Sequence, residues 1–135
     1  MATLGQRIPP QNLEAEESVL GAILLDKDAI IHVADVIRPD NFYSSANQAV
    51  FEAMMTLYEA REPIDVLTVT DKLRKAKKLE KVGGSAYLAR LAQSVPTAAH
   101  AKHYAKIVKG LFTKREIIST SAELTEKAFD PAHEP

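Results

Sequence analysis

The chain has no cysteine, no tryptophan and only five glycines among its 135 residues. Each shortage closes off a class of chemistry. Without cysteine there is no disulfide, no thiolate nucleophile and no cysteine-ligated metal site, which agrees with a reducing compartment. The glycines stand at positions 5, 21, 83, 84 and 110. With that placement neither the G-x-x-x-x-G-K-[ST] phosphate cradle nor the G-x-G-x-x-G dinucleotide turn can be written. No apolar run approaches the ~18 residues that a membrane-crossing helix needs. Met1 to Arg7 holds no apolar stretch of signal-peptide length. The expectation is one soluble, cytoplasmic domain.

Catalytic groupings are equally scarce. The histidines are His32, His100, His103 and His133. Only His100 and His103 share a helical face, and no nearby acid completes a set of metal ligands. Glu14, Glu16, Glu17, Asp26 and Asp28 lie at helix starts, where carboxylates complement the helix dipole. No serine, histidine and acid fall into a nucleophile motif. No catalytic, cofactor-binding or metal-binding residue is assigned.

The net charge of −1 hides an asymmetry. Residues 1–60 hold three basic and nine acidic side chains, and residues 61–135 hold fourteen basic and nine acidic. Such a chain can stack head to tail on copies of itself, or simply present two solvated surfaces.

What the chain does have is helical periodicity. Asn12 is a candidate N-cap, and Leu13, Leu20 and Leu24, with Val19 and Ile23, make a first stripe. Gly21 lies on its apolar side, where another helix can approach closely. Ile30, Val33, Ala34 and Ile37 give a short second helix, which Arg38-Pro39-Asp40-Asn41 stops. Ser44 caps a third, in which Ala46, Ala49, Val50, Ala53, Met54 and Leu57 fit the i, i+3, i+4, i+7 template. Asp65 starts a fourth from Val66 to about Lys75, although its β-branched residues make a strand the local competitor. Gly83-Gly84 starts a fifth through Tyr87, Leu88 and Leu91.

After Val95-Pro96, Thr97 is a good N-cap for a last run that reaches Phe129. Its stripe is Ala101, Tyr104, Val108, Leu111, Ile118, Ala122 and Phe129, with Arg115 and Thr125 as polar breaks. As one helix it is roughly 45–50 Å long, more than the head can cover. Its far end must then meet another chain or a partner helix. The alternative is a helix broken at Gly110, with two pieces folded onto one core. The fold class is all-α: a compact head of about five short helices over 12–95, between a flexible lead (1–11) and a long arm (96–130) with a short tail (131–135).

One nucleic-acid-like feature remains, the basic run Lys72, Arg74, Lys75, Lys77, Lys78 and Lys81. Six such charges could make weak, salt-sensitive phosphate contacts. No aromatic is interleaved for base stacking. The helix 46–58 that would have to read bases offers only Asn47 and Gln48.

Several blocks also stand in a familiar order. Arg7-Ile8-Pro9-Pro10-Gln11-Asn12-Leu13-Glu14-Ala15-Glu16, running on to Ser18-Val19-Leu20-Gly21-Ala22-Ile23-Leu24-Leu25-Asp26, resembles the opening of bacterial replicative DNA helicases of the DnaB type. Arg38-Pro39-Asp40-Asn41-Phe42-Tyr43 resembles that family's RPEDFY turn, and Pro63-Ile64-Asp65 its PID helix start. Val82-Gly83-Gly84-Ser85-Ala86-Tyr87-Leu88 resembles VGGxAYL, and Val95-Pro96-Thr97-Ala98-Ala99 resembles VPSAAN. Tyr104-Ala105-Lys106-Ile107-Val108 resembles YAxIV, and Phe129-Asp130-Pro131 closes the region. Asn41 departs from the usual acid, and Lys77-Lys78 stand where the family often has Arg-Gly.

The resemblance implies the N-terminal domain of a replicative helicase without its motor. The family's ATP-dependent 5'–3' helicase carries a RecA-like ATPase, with ATP and magnesium, beyond this domain. DNA is contacted mainly through that motor, and this fragment would hold no cofactor. The long helix would be the first arm of a helical hairpin. The family's N-terminal domains form a hexamer collar as a trimer of dimers, dock the helicase-binding domain of a DnaG-type primase, and meet a loader or initiator at the replication fork on the nucleoid. Together with the stripe, this implies an interaction surface at Tyr104, Val108, Leu111, Arg115, Ile118 and Ala122. The other candidate is a nucleic-acid-binding domain using residues 72–81. The purified chain is expected neither to bind ATP tightly nor to hydrolyse it; nucleotide-dependent phosphate release that co-purifies with it would overturn this reading.

Overall fold

The computed structural model describes residues 7–132. The start of the lead, 1–6, and the end of the tail, 133–135, lie outside the described residues. Local capping sets most of the helix starts. Asn12 Oδ1 accepts from Ala15 N at 3.0 Å and opens α1, Leu13–Leu25. The short α2, Ala29–Val33, follows, and then a 3-10 turn at Pro39–Asn41. Ser44 Oγ accepts from Asn47 N to open α3, Ser45–Glu59. Asp65 and Thr68 form a reciprocal capping box at the start of α4, Val66–Lys75. That box satisfies two orphan donors at once, and it decides for helix over strand in the β-branched stretch. A single turn, α5 at Leu79–Val82, overlaps the end of the basic run. Gly83, at φ 107°, closes that turn and leads into α6, Gly84–Ala92. α7 is one unbroken helix, Ala101–Phe129.

The start of α7 differs from the sequence expectation, and the alternative of a helix broken at Gly110 is set aside. α7 does not begin at Thr97, because Thr97 Oγ1 accepts from Ala99 N in a turn of its own and leaves His100 as the N-cap. Gly110 does not break α7, since a glycine inside a helix costs only about 1 kcal/mol relative to alanine.

α1 is the central element and packs against α7, α6 and α3. Its buried Val19, Leu20 and Ile23 belong to one core with Val50, Phe51, Met54 and Leu57 of α3, Val69 and Leu73 of α4, and Leu88 and Leu91 of α6. The core does not stop at Val95, because Ala101, Ala105 and Val108 of α7 are buried in it too. Each fully buried Leu, Ile, Phe or Met contributes about 1.5–3 kcal/mol. Gly21 behaves as its place on the apolar side suggested. A Cβ there would lie 2.4 Å from both Leu91 O and Ser94 Oγ.

A carboxylate sits inside this core. Glu16 lies in the first turn of α1, as its place in the sequence suggested, yet it is only 2% exposed. Its Oε2 accepts from Tyr43 N at 2.6 Å, and its Oε1 accepts from Ser44 N at 3.3 Å and Asn47 Nδ2 at 3.0 Å. All three donors come from the start of α3, where the helix dipole also favours negative charge. Asn47 Oδ1 in turn accepts from the Tyr87 hydroxyl of α6. Gln48 Nε2 donates to Phe42 O at 2.7 Å. Asn47 and Gln48 thus hold the head together and are not free to read bases.

Gly21→Ala is expected to force α1 and α6 apart, because a backbone carbonyl cannot yield as a flexible side chain can. Overpacking of this kind costs about 1–3 kcal/mol. An unchanged thermal midpoint would show that the two helices part freely. Tyr87 carries a second expectation. Burial, and then the neighbouring Glu17 charge, push its hydroxyl from an ordinary 10.0 up to about 12. The neutral phenol is therefore favoured by folding, so its contribution is complete below pH 10.0 and is lost as pH rises toward about 12. Alkaline unfolding curves should show this loss in the parent and not in Tyr87→Phe.

Candidate interaction surface

α7 has two apolar faces, one buried in the head and one that the head covers only at its near end. At 3.6 residues per turn, Ala101, Ala105, Val108, Phe112 and Arg115 share one side. The first three are buried, and Phe112 and Arg115 are half-buried. Tyr104, Ile107, Leu111, Ile118, Ala122 and Phe129 lie on a second side, about 90° round the helix. Tyr104, Ile107 and Leu111 are half-covered near the head, while Ile118 is 50% and Phe129 83% exposed. Every residue from Glu116 to Phe129 is exposed.

The single stripe read from the sequence is thus two. Ala101 and Val108 turn into the chain's own core, and Leu111, Ile118, Ala122 and Phe129 do not. A 3.6-residue template tolerates a stripe ≳100° wide, so both sets fit it. Ile117 and Leu124, also exposed, lie about 120° further round the helix from the second set and were not picked out. Their signal was available as i, i+7 spacing on the same helix.

Arg115 is held by its own chain. Its guanidinium donates to Pro10 O and to Asn41 O, each at 2.8 Å. It also lies over the rings of Tyr43, at 5.4 Å, and Phe112, at 5.8 Å. The polar break in the stripe is therefore a brace between α7, the lead and the 3-10 turn. Phe112 completes that brace and was missed, although it stands one turn beyond Val108. Lys109 Nζ adds a longer contact of 3.4 Å to Asn41 Oδ1.

The basic run gathers at the end of α4 and the turn after it. Asp71 faces Lys75 at 3.1 Å and Arg74 at 4.0 Å, and Glu52 of α3 faces Lys78 at 3.8 Å. Such exposed pairs contribute about 0–1 kcal/mol, but they lower the field that a phosphate would meet. Cations at the C-terminal end of α4 also complement its dipole. Among the described residues no group of three or more His, Cys, Asp or Glu is placed to hold a metal ion, and no helix is long and apolar enough to cross a membrane.

Comparison with known proteins meets this geometry from another side. The DnaB-like helicase N terminal domain family matches residues 8–110. The replicative DNA helicase DnaB of Geobacillus stearothermophilus is 40% identical over 124 residues, which is 92% of this chain and 27% of that protein. The chain therefore spans about a quarter of the length of such relatives. The crystal structure of the N-terminal domain of DnaB helicase from Mycobacterium tuberculosis superposes with a TM-score of 0.90 at 41% identity, covering 93% of this chain and 89% of that one. The N-terminal domain of the Helicobacter pylori DnaB helicase, described with its interactions with primase, superposes at 0.75 with 26% identity, covering 87% and 91%. An all-helical head, the matched blocks and these superpositions agree: the chain belongs to the DnaB-like helicase N-terminal domain family.

Proposed function

We propose that this chain is the assembly and partner-docking domain of a replicative DNA helicase. It would work through the uncovered face of α7: Leu111, Ile118 and Ala122, with Tyr104 at the near end. Val108 would support that face from inside the core, and Arg115 would fix its direction. One observation carries the reading. From Glu116 to Phe129 every residue of the helix is exposed, yet Ile117, Ile118, Ala122, Leu124 and Phe129 are apolar. An exposed apolar run of this kind marks a protein interaction site.

Two occupants fit: a second copy of the domain, building a hexamer collar as a trimer of dimers, and the helicase-binding domain of a primase. The Helicobacter pylori relative supports the second by the interactions with primase described for it. ATP hydrolysis, 5'–3' movement, most DNA contact and docking of a loader or initiator would involve the remainder of a full-length helicase at the replication fork.

Ile118→Glu combined with Ala122→Glu tests this reading. Both positions are exposed, so the head should stay folded by circular dichroism. Two charges placed in an apolar seam should weaken self-association or primase binding at least ~10-fold, equivalent to about 1.4 kcal/mol. Sedimentation velocity and titration against a primase helicase-binding domain give the readout. Parent-like behaviour in both assays would remove α7 as the docking surface, and salt-sensitive DNA binding by the parent would point to residues 72–81 instead.

A further inference from the structure

We propose that Arg115 is a latch that holds the outer half of α7 in line across a latent joint at Gly110. The proposal concerns this chain alone and does not depend on what the arm meets.

Three observations converge on it. First, the core ends at Val108, the last buried residue of α7. Second, the joint lies immediately beyond. Gly110 points away from the head, about 180° round the helix from the packed face, and a Cβ there would meet nothing within 4 Å. No close approach demands a glycine at this position. What glycine supplies instead is backbone freedom in the one turn where packing gives out. Third, the fourteen residues from Glu116 to Phe129 form an exposed lever of about 21 Å. Among the described residues, Lys109 and Arg115 make the polar contacts from this stretch to the head, with Leu111 and Phe112 half-buried beside them.

Of these contacts, those of Arg115 alone tie α7 to two other parts of the chain at once. One guanidinium bonds Pro10 O of the lead and Asn41 O of the 3-10 turn, 105 and 74 residues away in sequence. Bonds from a charged donor are roughly twice as strong as neutral ones, and the planar fork presents both in one fixed geometry. The rings of Tyr43 and Phe112 hold that fork in place. With Arg115 engaged, the arm continues the axis of the packed half. With it released, the helix can bend at Gly110, and the lead loses its hold on the head in the same event.

The absence of cysteine makes the test direct. Nitroxide labels are attached at Glu59→Cys in α3 and Glu126→Cys in α7, both exposed positions. Distances are read by double electron–electron resonance, with labelled chain diluted in excess unlabelled chain to suppress signals between copies. The parent should give one narrow distribution. Arg115→Met, which keeps an apolar stem but no donors, should broaden and shift it. Adding Gly110→Ala to Arg115→Met should narrow it again near the parent distance. Arg115→Lys, which keeps the charge but not the fork, should broaden it less than Met, and it serves should the Met variant fail to fold by circular dichroism. A parent-like distribution in Arg115→Lys together with Arg115→Met, or in Arg115→Lys alone if Met does not fold, overturns the latch. Broadening that Gly110→Ala leaves untouched overturns the joint.

Discussion

A carboxylate enclosed by protein is the constraint on which the rest of this structure depends. A buried charge is costly unless every lone pair in reach finds a donor. Glu16 finds three, all at the start of α3. Satisfying it sets where α3 begins relative to α1, and Asn47 passes the same requirement on to Tyr87 of α6. Three helices distant in sequence are thereby placed by one side chain. Apolar packing then fills the volume that this arrangement leaves.

The turn gripped by Glu16 is gripped from its other side by Arg115. Tyr43 N points to the carboxylate, while Asn41 O and the Tyr43 ring face the guanidinium. The polar network at the centre of the head and the brace on the arm therefore share one short segment. Through that segment, the contacts of Arg115 on α7 adjoin those of Glu16 in the first turn of α1.

Beyond Arg115 the physics changes. The first half of α7 is held by burial, and the second half has no core to enter. Isolated helices shorter than ~12–15 residues are marginal in water. The outer turns are extended from an anchored helix and helped by surface pairs such as Glu123 with Lys127, at 4.0 Å. A domain built this way presents an apolar face without collapsing onto it, as a docking element requires.

Much of this was legible in the residues. Asn12, Ser44 and Asp65 announced their helices because a cap is a contact between neighbours in sequence, and Gly21 announced a close approach because a side chain was missing from an apolar face. The ordered blocks from Arg7 to Pro131 carried the family. Thr97 misled, since a cap residue promises a bonded N–H without saying whether that N–H opens a helix or closes a turn. Local order alone determined the all-helical class, most helix starts and the existence of a long final helix. Only the tertiary structure decided that Glu16 points inward, that Arg115 braces and does not interrupt, and that Val108 is buried in the core while Leu111 is half-covered. Those outcomes rest on donors, carbonyls and rings that lie 27 to 105 residues away, and the periodicity of a single helix holds no information about what stands opposite it.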